Sequence, residues 1–364
     1  MSKAAELANL IGNINAGGGG VNRNLIINGA MNVSQRATSF ADPANDTYTL
    51  DRFIARKSND GAVTITQDSS GPSGFANSLK VDVTTADTNL GTSQFNILQY
   101  KVEAQDCQRL AFGTSDAKNF TLSFYVKSNK TGTYSVNISQ SDNSSKQASL
   151  TYTINSADTW ERKSLTFTGD TSGVINDDNG TGLSIYWWLA VGTLYTSGGS
   201  TSASFQTFAN ANHAAGHAVN LLDSTDNNWY ITGVQLEVGQ NETVFEHEPI
   251  EKTLLKCKRY FFAKNTSYEP LGAGVWYGAG NVLADYTFEV EMRAAPTMSV
   301  KSADFGVAYE GGASNTTNTT SCFDNIATRG ARMNIAGWAT NGTLGHGAYV
   351  QLNASEYVYA DAEL

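Results

Sequence analysis

The feature that most constrains this chain is an alternation of apolar and polar residues that returns along most of its length. Leu122, Phe124 and Val126 alternate with Ser123 and Tyr125. Val63 and Ile65 repeat the pattern, as do Leu79, Val81 and Val83, then Tyr134, Val136 and Ile138, then Leu150, Tyr152 and Ile154, then Leu165 and Phe167. A period of two belongs to the β-strand, because successive side chains point to opposite faces. Turn-forming runs such as residues 69–74 and 141–145 separate these segments. Many short strands joined by turns predict an all-β chain built around an antiparallel sandwich or jelly roll. Residues 182–191 depart from the rule, with Leu183, Ile185, Trp187 and Leu189 set against Tyr186, Trp188 and Ala190. Such a strand fits the sandwich centre, buried on both sides or with one aromatic face left open for a ligand. Residues 24–36 read as the opening strand and residues 228–239 as the closing one, with Tyr230, Val234, Leu236 and Val238 inward.

At 364 residues the chain exceeds one compact domain, so two or more units are expected. Only 16% of residues are charged, below the roughly 25% usual in soluble domains. Gly, Ser, Thr and Asn fill the gap, which suits strands joined by turns. A net charge of −10 argues against nucleic acid and anionic membranes as partners. Cys107, Cys257 and Cys322 are odd in number and far apart, so neither a disulfide framework nor a zinc site is expected. No long apolar core follows Met1-Ser-Lys, so no secretory leader is expected, and the apolar run 186–195 is too short for membrane insertion.

Three parts follow along the chain. Residues 1–20 pair a short helix with a flexible break at Gly17-Gly-Gly-Gly20, and Ala4, Leu7, Ala8 and Ile11 fall on one helical face. That stripe either packs on its own domain or serves as an anchor that docks to another protein or self-associates about a threefold axis. Residues 21–248 form the sandwich. Residues 249–364 form a smaller β domain, opened by a helical turn after Pro249, with Tyr286, Phe288, Val290 and Met292 alternating and residues 311–320 as a polar loop.

Chemistry of the catalytic kind finds little support. There is no Gly-x-Ser-x-Gly elbow, and His213 and His217 sit among Asn, Ala and Gly, as in a loop. The carboxylate pairs Glu246/Glu248 and Asp177/Asp178 raise a glycosidase, but sequence cannot measure the separation that such chemistry needs. Asp177, Asp178 and Asn179 form an oxygen-rich turn that either is plain or holds a structural calcium. Sugar binding needs aromatic faces beside polar groups. Tyr186, Trp188, Trp229 and Tyr125 are candidates in the sandwich, and Trp276, Tyr277, Trp338 and Tyr349 in the distal domain. For any one aromatic, core packing competes with that role. Trp276 and Tyr277, set among Gly272, Gly274, Gly278 and Gly280, read as an exposed loop.

Several segments, in order, carry a likeness to a known family: Asn24-Leu-Ile-Ile-Asn-Gly-Ala-Met-Asn-Val-Ser-Gln-Arg36, Tyr48-Thr-Leu-Asp-Arg-Phe53, Ile231-Thr-Gly-Val-Gln-Leu-Glu-Val-Gly239, Phe245-Glu-His-Glu-Pro249, Cys257-Lys-Arg-Tyr-Phe261 and Met292-Arg-Ala-Ala-Pro-Thr297. Together with Lys3-Ala-Ala-Glu-Leu-Ala8 they resemble tail-fibre-like virion proteins of bacteriophages, of the marine and cyanobacterial type. The resemblance implies a non-enzymatic virion appendage, commonly a homotrimer. It would be joined to other virion proteins through residues 1–20 and bind host surface polysaccharide through a middle domain like the jelly-roll carbohydrate-binding modules. A capsid decoration or tail adaptor is the structural alternative, and a glycan-depolymerising tailspike the enzymatic one.

Overall fold

The computed structural model describes residues 2–15, 21–142, 146–265, 268–278, 281–300, 304–309, 312–317, 322–336, 343–353 and 356–364. The chain divides into two compact units, residues 1–253 and 254–363, with Leu364 returning to the first. The boundary falls within helix α3 (Ile250–Lys258), which follows α1 (Lys3–Asn15) and α2 (Asn210–His213).

The first unit is a jelly-roll β-sandwich of two antiparallel sheets. One sheet runs, edge to edge, β1 (Ser39–Ala41), β4 (Ala62–Asp68), β5 (Ser78–Thr85), β13 (Asn228–Val238), β7 (Phe120–Ser128) and β10 (Glu161–Phe167). The other runs β12 (Ser202–Thr207), β9 (Lys146–Ile154), β8 (Gly132–Gln140), β11 (Thr181–Val191), β6 (Phe95–Glu103), β3 (Phe53–Ser58) and β2 (Thr47–Tyr48). The alternation read from sequence places Leu79, Val81, Leu122, Phe124, Val136, Ile138, Ile185 and Trp187 in one shared core. Phe124 meets Trp187 edge to face at 6.0 Å, and Phe120 stacks on Phe167 at 5.4 Å. Each such side chain, fully buried, contributes about 1.5–3 kcal/mol over its exposed state.

Two expectations are corrected here. Residues 24–36 do not form a strand. They run as an irregular tie beside β13 whose hydrogen bonds go largely through asparagine side chains. Asn24 Nδ2 donates to Val234 O (3.1 Å), Leu236 N donates to Asn24 Oδ1 (3.0 Å), and Val33 N donates to Asn28 Oδ1 (2.9 Å). Leu25, Ile26, Met31 and Val33 are buried all the same. Nor does Tyr230 point inward. The ladder between β13 and β7 slips between the pairs Thr232–Tyr125 and Gln235–Ser123, so two residues of β13 face one of β7. Inward residues are Trp229 and Ile231 before the bulge, and Val234, Leu236 and Val238 after it. Gly233 sits at the slip with φ of 62°, and a Cβ there would lie 2.8 Å from Phe75 Cζ and 2.9 Å from Tyr125 Cδ2.

The second unit holds a three-stranded sheet, β14 (Phe261–Lys264), β23 (Val358–Asp361) and β17 (Thr297–Val300), and a seven-stranded one. The latter runs β19 (Gly312–Thr317), β18 (Asp304–Tyr309), β22 (Gly347–Leu352), β15 (Pro270–Gly278), β16 (Asn281–Thr287), β21 (Gly330–Ile335) and β20 (Phe323–Ala327). Its core gathers Phe262, Trp276, Tyr286, Met333, Val350 and Val358. Part of the expected polar loop 311–320 is strand β19, paired with β18. The strand expected to continue to Met292 ends at Thr287, though Phe288 and Met292 stay buried. The three cysteines are buried and form no disulfide among the described residues, and burial pushes the Cys322 thiol up to about 12. Among the described residues no helix is long and apolar enough to cross a membrane.

Candidate functional site

The outer face of the second sandwich sheet carries an aromatic cleft. Trp187 points into the core, so Trp188 and Tyr186 must leave the opposite face of β11. Trp188 lies across from Ile97 of β6, and Arg56 of β3 lies across from Ile97 on the other side. The segment after β11 folds back over this face. A 3-10 turn at Thr193–Tyr195 is held to α2 by Ala214 N donating to Tyr195 O (3.0 Å). Gly199 permits that approach, since a Cβ there would sit 1.8 Å from Ala211 O.

The rings assemble tightly. Trp188 stands 5.2 Å from Tyr195, 5.5 Å from His213 and 6.1 Å from Phe95 between ring centres. His213 is 5.8 Å from Tyr186 and 4.9 Å from Phe208. Arg56, Phe95, Ile97, Tyr186, Trp188, Tyr195, Asn210 and His213 line a cavity of about 210 Å³, smaller than the ~300–1,000 Å³ of pockets that enclose a drug-sized ligand. Trp188 is only 2% exposed, and its indole N–H has no hydrogen-bond partner among the described residues. Burial, with Arg56 nearby, lowers the His213 pKa to about 4, so at neutral pH the ring offers one donor and one acceptor. Arg56 Nε pairs with Asp46 at 2.8 Å, which leaves the rim close to neutral. Ring faces beside a few polar groups suit a small, neutral, hydroxyl-bearing ligand.

Of the residues singled out from sequence, Tyr186 and Trp188 come together here. His213 joins them, against the expectation of a plain loop histidine. Phe95, Tyr195 and Asn210 were missed, and only the non-alternating run around residues 182–195 signalled the region. His217 lies elsewhere, against Tyr134. It accepts from Ser135 N at Nδ1 (3.2 Å) and donates from Nε2 to Val219 O (2.6 Å), and burial lowers its pKa to about 4. Trp229 is core. Tyr125 lies on the outer face of the other sheet, opposite Thr232 and Arg162.

In the second unit the expected exposed loop at Trp276 and Tyr277 is strand β15. Trp276 is 0% exposed and belongs to the core, whereas Tyr277 is 66% exposed on the opposite face. Gly272 and Gly274 are packing glycines, since Cβ atoms there would lie 2.3 Å from Asp285 O and 2.0 Å from Leu283 O. Tyr349 of β22 shares the Tyr277 face and is 39% exposed. Trp338 lies outside the described residues.

The remaining candidates lie apart from the cleft. Glu246 accepts from the backbone N–H of Asn22 (2.6 Å), Arg23 (2.8 Å) and Asn24 (3.0 Å), and Glu248 pairs with Lys252 at 2.9 Å. These contacts hold the tie to the 243–248 segment. Asp177, Asp178 and Asn179 sit in an exposed turn closed by Gly180 N donating to Asp178 Oδ1 (2.8 Å). Among the described residues no three His, Cys, Asp or Glu side chains converge as metal ligands. The apolar stripe of α1 faces solvent: Ala4 and Ala8 are exposed, Leu7 is 57% exposed and Ile11 48%.

No protein-family model matches the chain. No curated protein matches it either. Solved structures with a likeness include the enzymatically active domain of bacteriophage CBA120 tailspike protein 4, at 11% identity and a TM-score of 0.30, covering 55% of this chain and 21% of that one. Another is a family 11 carbohydrate-binding module from Clostridium thermocellum in complex with a mixed-linked tetrasaccharide (12% identity, TM-score 0.29, 58% and 99% covered). A third is the apo form of a cyclase from Fischerella sp. (13% identity, TM-score 0.29, 57% and 100% covered).

Proposed function

We propose that this protein is a non-enzymatic, fibre-like virion appendage whose sandwich binds a neutral host surface glycan in the cleft around Trp188. The cleft carries this reading: five rings line a cavity of about 210 Å³, room for about one sugar unit, on a rigid sheet. Residues 1–20 attach the protein to the particle, and the solvent-facing stripe Ala4, Leu7, Ala8 and Ile11 supplies the contact, with other virion proteins or in a homotrimer. Weak sugar contacts repeated over several copies then sum to firm adsorption. The open face bearing Tyr277 and Tyr349 is a second, distal contact surface in this scheme.

The test is electrophoresis of the full-length oligomer through gels that contain host polysaccharide. Retardation that Tyr195→Ala abolishes, with the fold intact by circular dichroism, is the expected result. Normal mobility of the wild type with every host polysaccharide would overturn glycan binding. Antibody labelling of capsid faces rather than the tail would then favour a decoration role.

A further inference from the structure

We propose that the outer face of the other sandwich sheet is a second saccharide surface, and that it takes an acidic polysaccharide through Lys127 and Arg162. Lysines of this unit are mostly neutralised: Lys57, Lys80, Lys130, Lys146 and Lys163 each pair with a carboxylate. Lys127 has no such partner among the described residues. Its ammonium instead lies 4.1 Å from the Tyr230 ring centre and 5.2 Å from that of Trp160. In a chain of net charge −10, a cation held between two half-buried rings and left without an acid is a binding group in waiting.

The placement follows from the bulge at Gly233. Because the bulge flips the parity of β13, Tyr230 comes out beside Lys127 rather than into the core. Two residues along β7, on the same face, Tyr125 lies under the Arg162 guanidinium at 5.9 Å. Arg162 likewise has no carboxylate partner among the described residues. A groove of about 440 Å³ continues from there, lined by Tyr125, Phe75, Ser164, Phe245 and His247 among others. Glu6 and Glu242 also line it, and Ser164 donates to Glu242 at 2.9 Å. The anionic group therefore belongs at the Lys127 and Arg162 end and the hydroxyl-rich part of the chain in the groove. Asp82 is held by Lys80, and Glu161 by Lys163, so neither competes for Lys127. A row of rings and cations along one strand direction fits a linear saccharide carrying carboxylate or sulfate. A nucleic acid is disfavoured by the overall charge.

The experiment uses the full-length protein with polygalacturonate as the acidic probe, a sulfated galactan as the sulfate probe, a neutral β-glucan, and poly-glutamate as a peptide of similar charge. Retention by either acidic saccharide, weakened roughly three- to tenfold by Lys127→Gln and further by Arg162→Gln, is expected. The melting temperature of Lys127→Gln should match the wild type, whereas Arg162 Nη2 also donates to Thr243 O, so the Arg162→Gln variant is compared below its own melting transition. Unchanged affinity in the double variant, or no binding to either acidic saccharide, overturns the proposal. Equal binding of poly-glutamate overturns the saccharide assignment. Tyr195→Ala reports on the Trp188 cleft alone, so either surface can fail without the other.

Discussion

The Trp188 cleft of the sandwich and the Tyr277 face of the second unit are written in the same strand pattern, yet they present their rings in opposite ways. Each begins with a pair of adjacent large aromatics, one inward and one outward: Trp187 and Trp188 on β11, Trp276 and Tyr277 on β15. On β11 the outward ring is covered, because the segment through Tyr195 and α2 folds back over it. On β15 the outward ring meets solvent. Alternation decides which face a side chain takes, and a roof from elsewhere decides whether that face becomes a concave site or a flat one. A concave site can satisfy a ligand on several sides, whereas a flat one gains little from each contact.

The sharpest way to break this comparison is to truncate the two rings of β15. Trp276→Ala should cost about 3–5 kcal/mol in denaturant unfolding, and Tyr277→Ala less than about 0.5 kcal/mol. Equal effects would mean that the faces are misassigned. Acidification should separate the units next. His213 and His217, both in the sandwich, are neutral in the fold with pKa values near 4 against 6.5 unfolded. The unfolded chain takes up protons first, so stability is full above about pH 6.5, falls as pH drops towards 4, and levels below that. The loss is on the order of 1–3 kcal/mol per ring, and His217→Gln should flatten part of the slope in melts run between those limits. A steady sandwich melting temperature over that window would count against the buried, neutral rings.

Gly233→Ala probes the bulge that turns Tyr230 onto the outer face of its sheet. Its left-handed backbone and the close Phe75 and Tyr125 rings predict a loss of about 1–3 kcal/mol. A neutral result would mean that the register relaxes without strain. The smallest effect expected is from calcium. The Asp178 turn closes on its own backbone, so chelation should leave the melting temperature unchanged, and an upward shift on adding calcium would restore an ion to Asp177, Asp178 and Asn179.

The alternating strands were legible because burial on one face forces period two, as at Leu122, Phe124 and Val126. Residues 24–36 were not, since their apolar content resembles a strand while their hydrogen bonds pass through Asn24 and Asn28 side chains. Trp276 misled for a related reason. Its neighbouring glycines are there for backbone approach to β16 rather than for flexibility, and composition alone does not tell those uses apart.

The sequence by itself determined the all-β class, the inward face of most strands, and the doubly apolar strand that underlies the cleft, because side-chain period and burial are local consequences of the chain. Tertiary structure alone decided where parity flips, which aromatics are roofed, and that Phe95, Trp188, Tyr195 and His213 meet. Those outcomes depend on pairing register and on a returning segment, which are contacts between residues distant in sequence and leave no periodic trace in it.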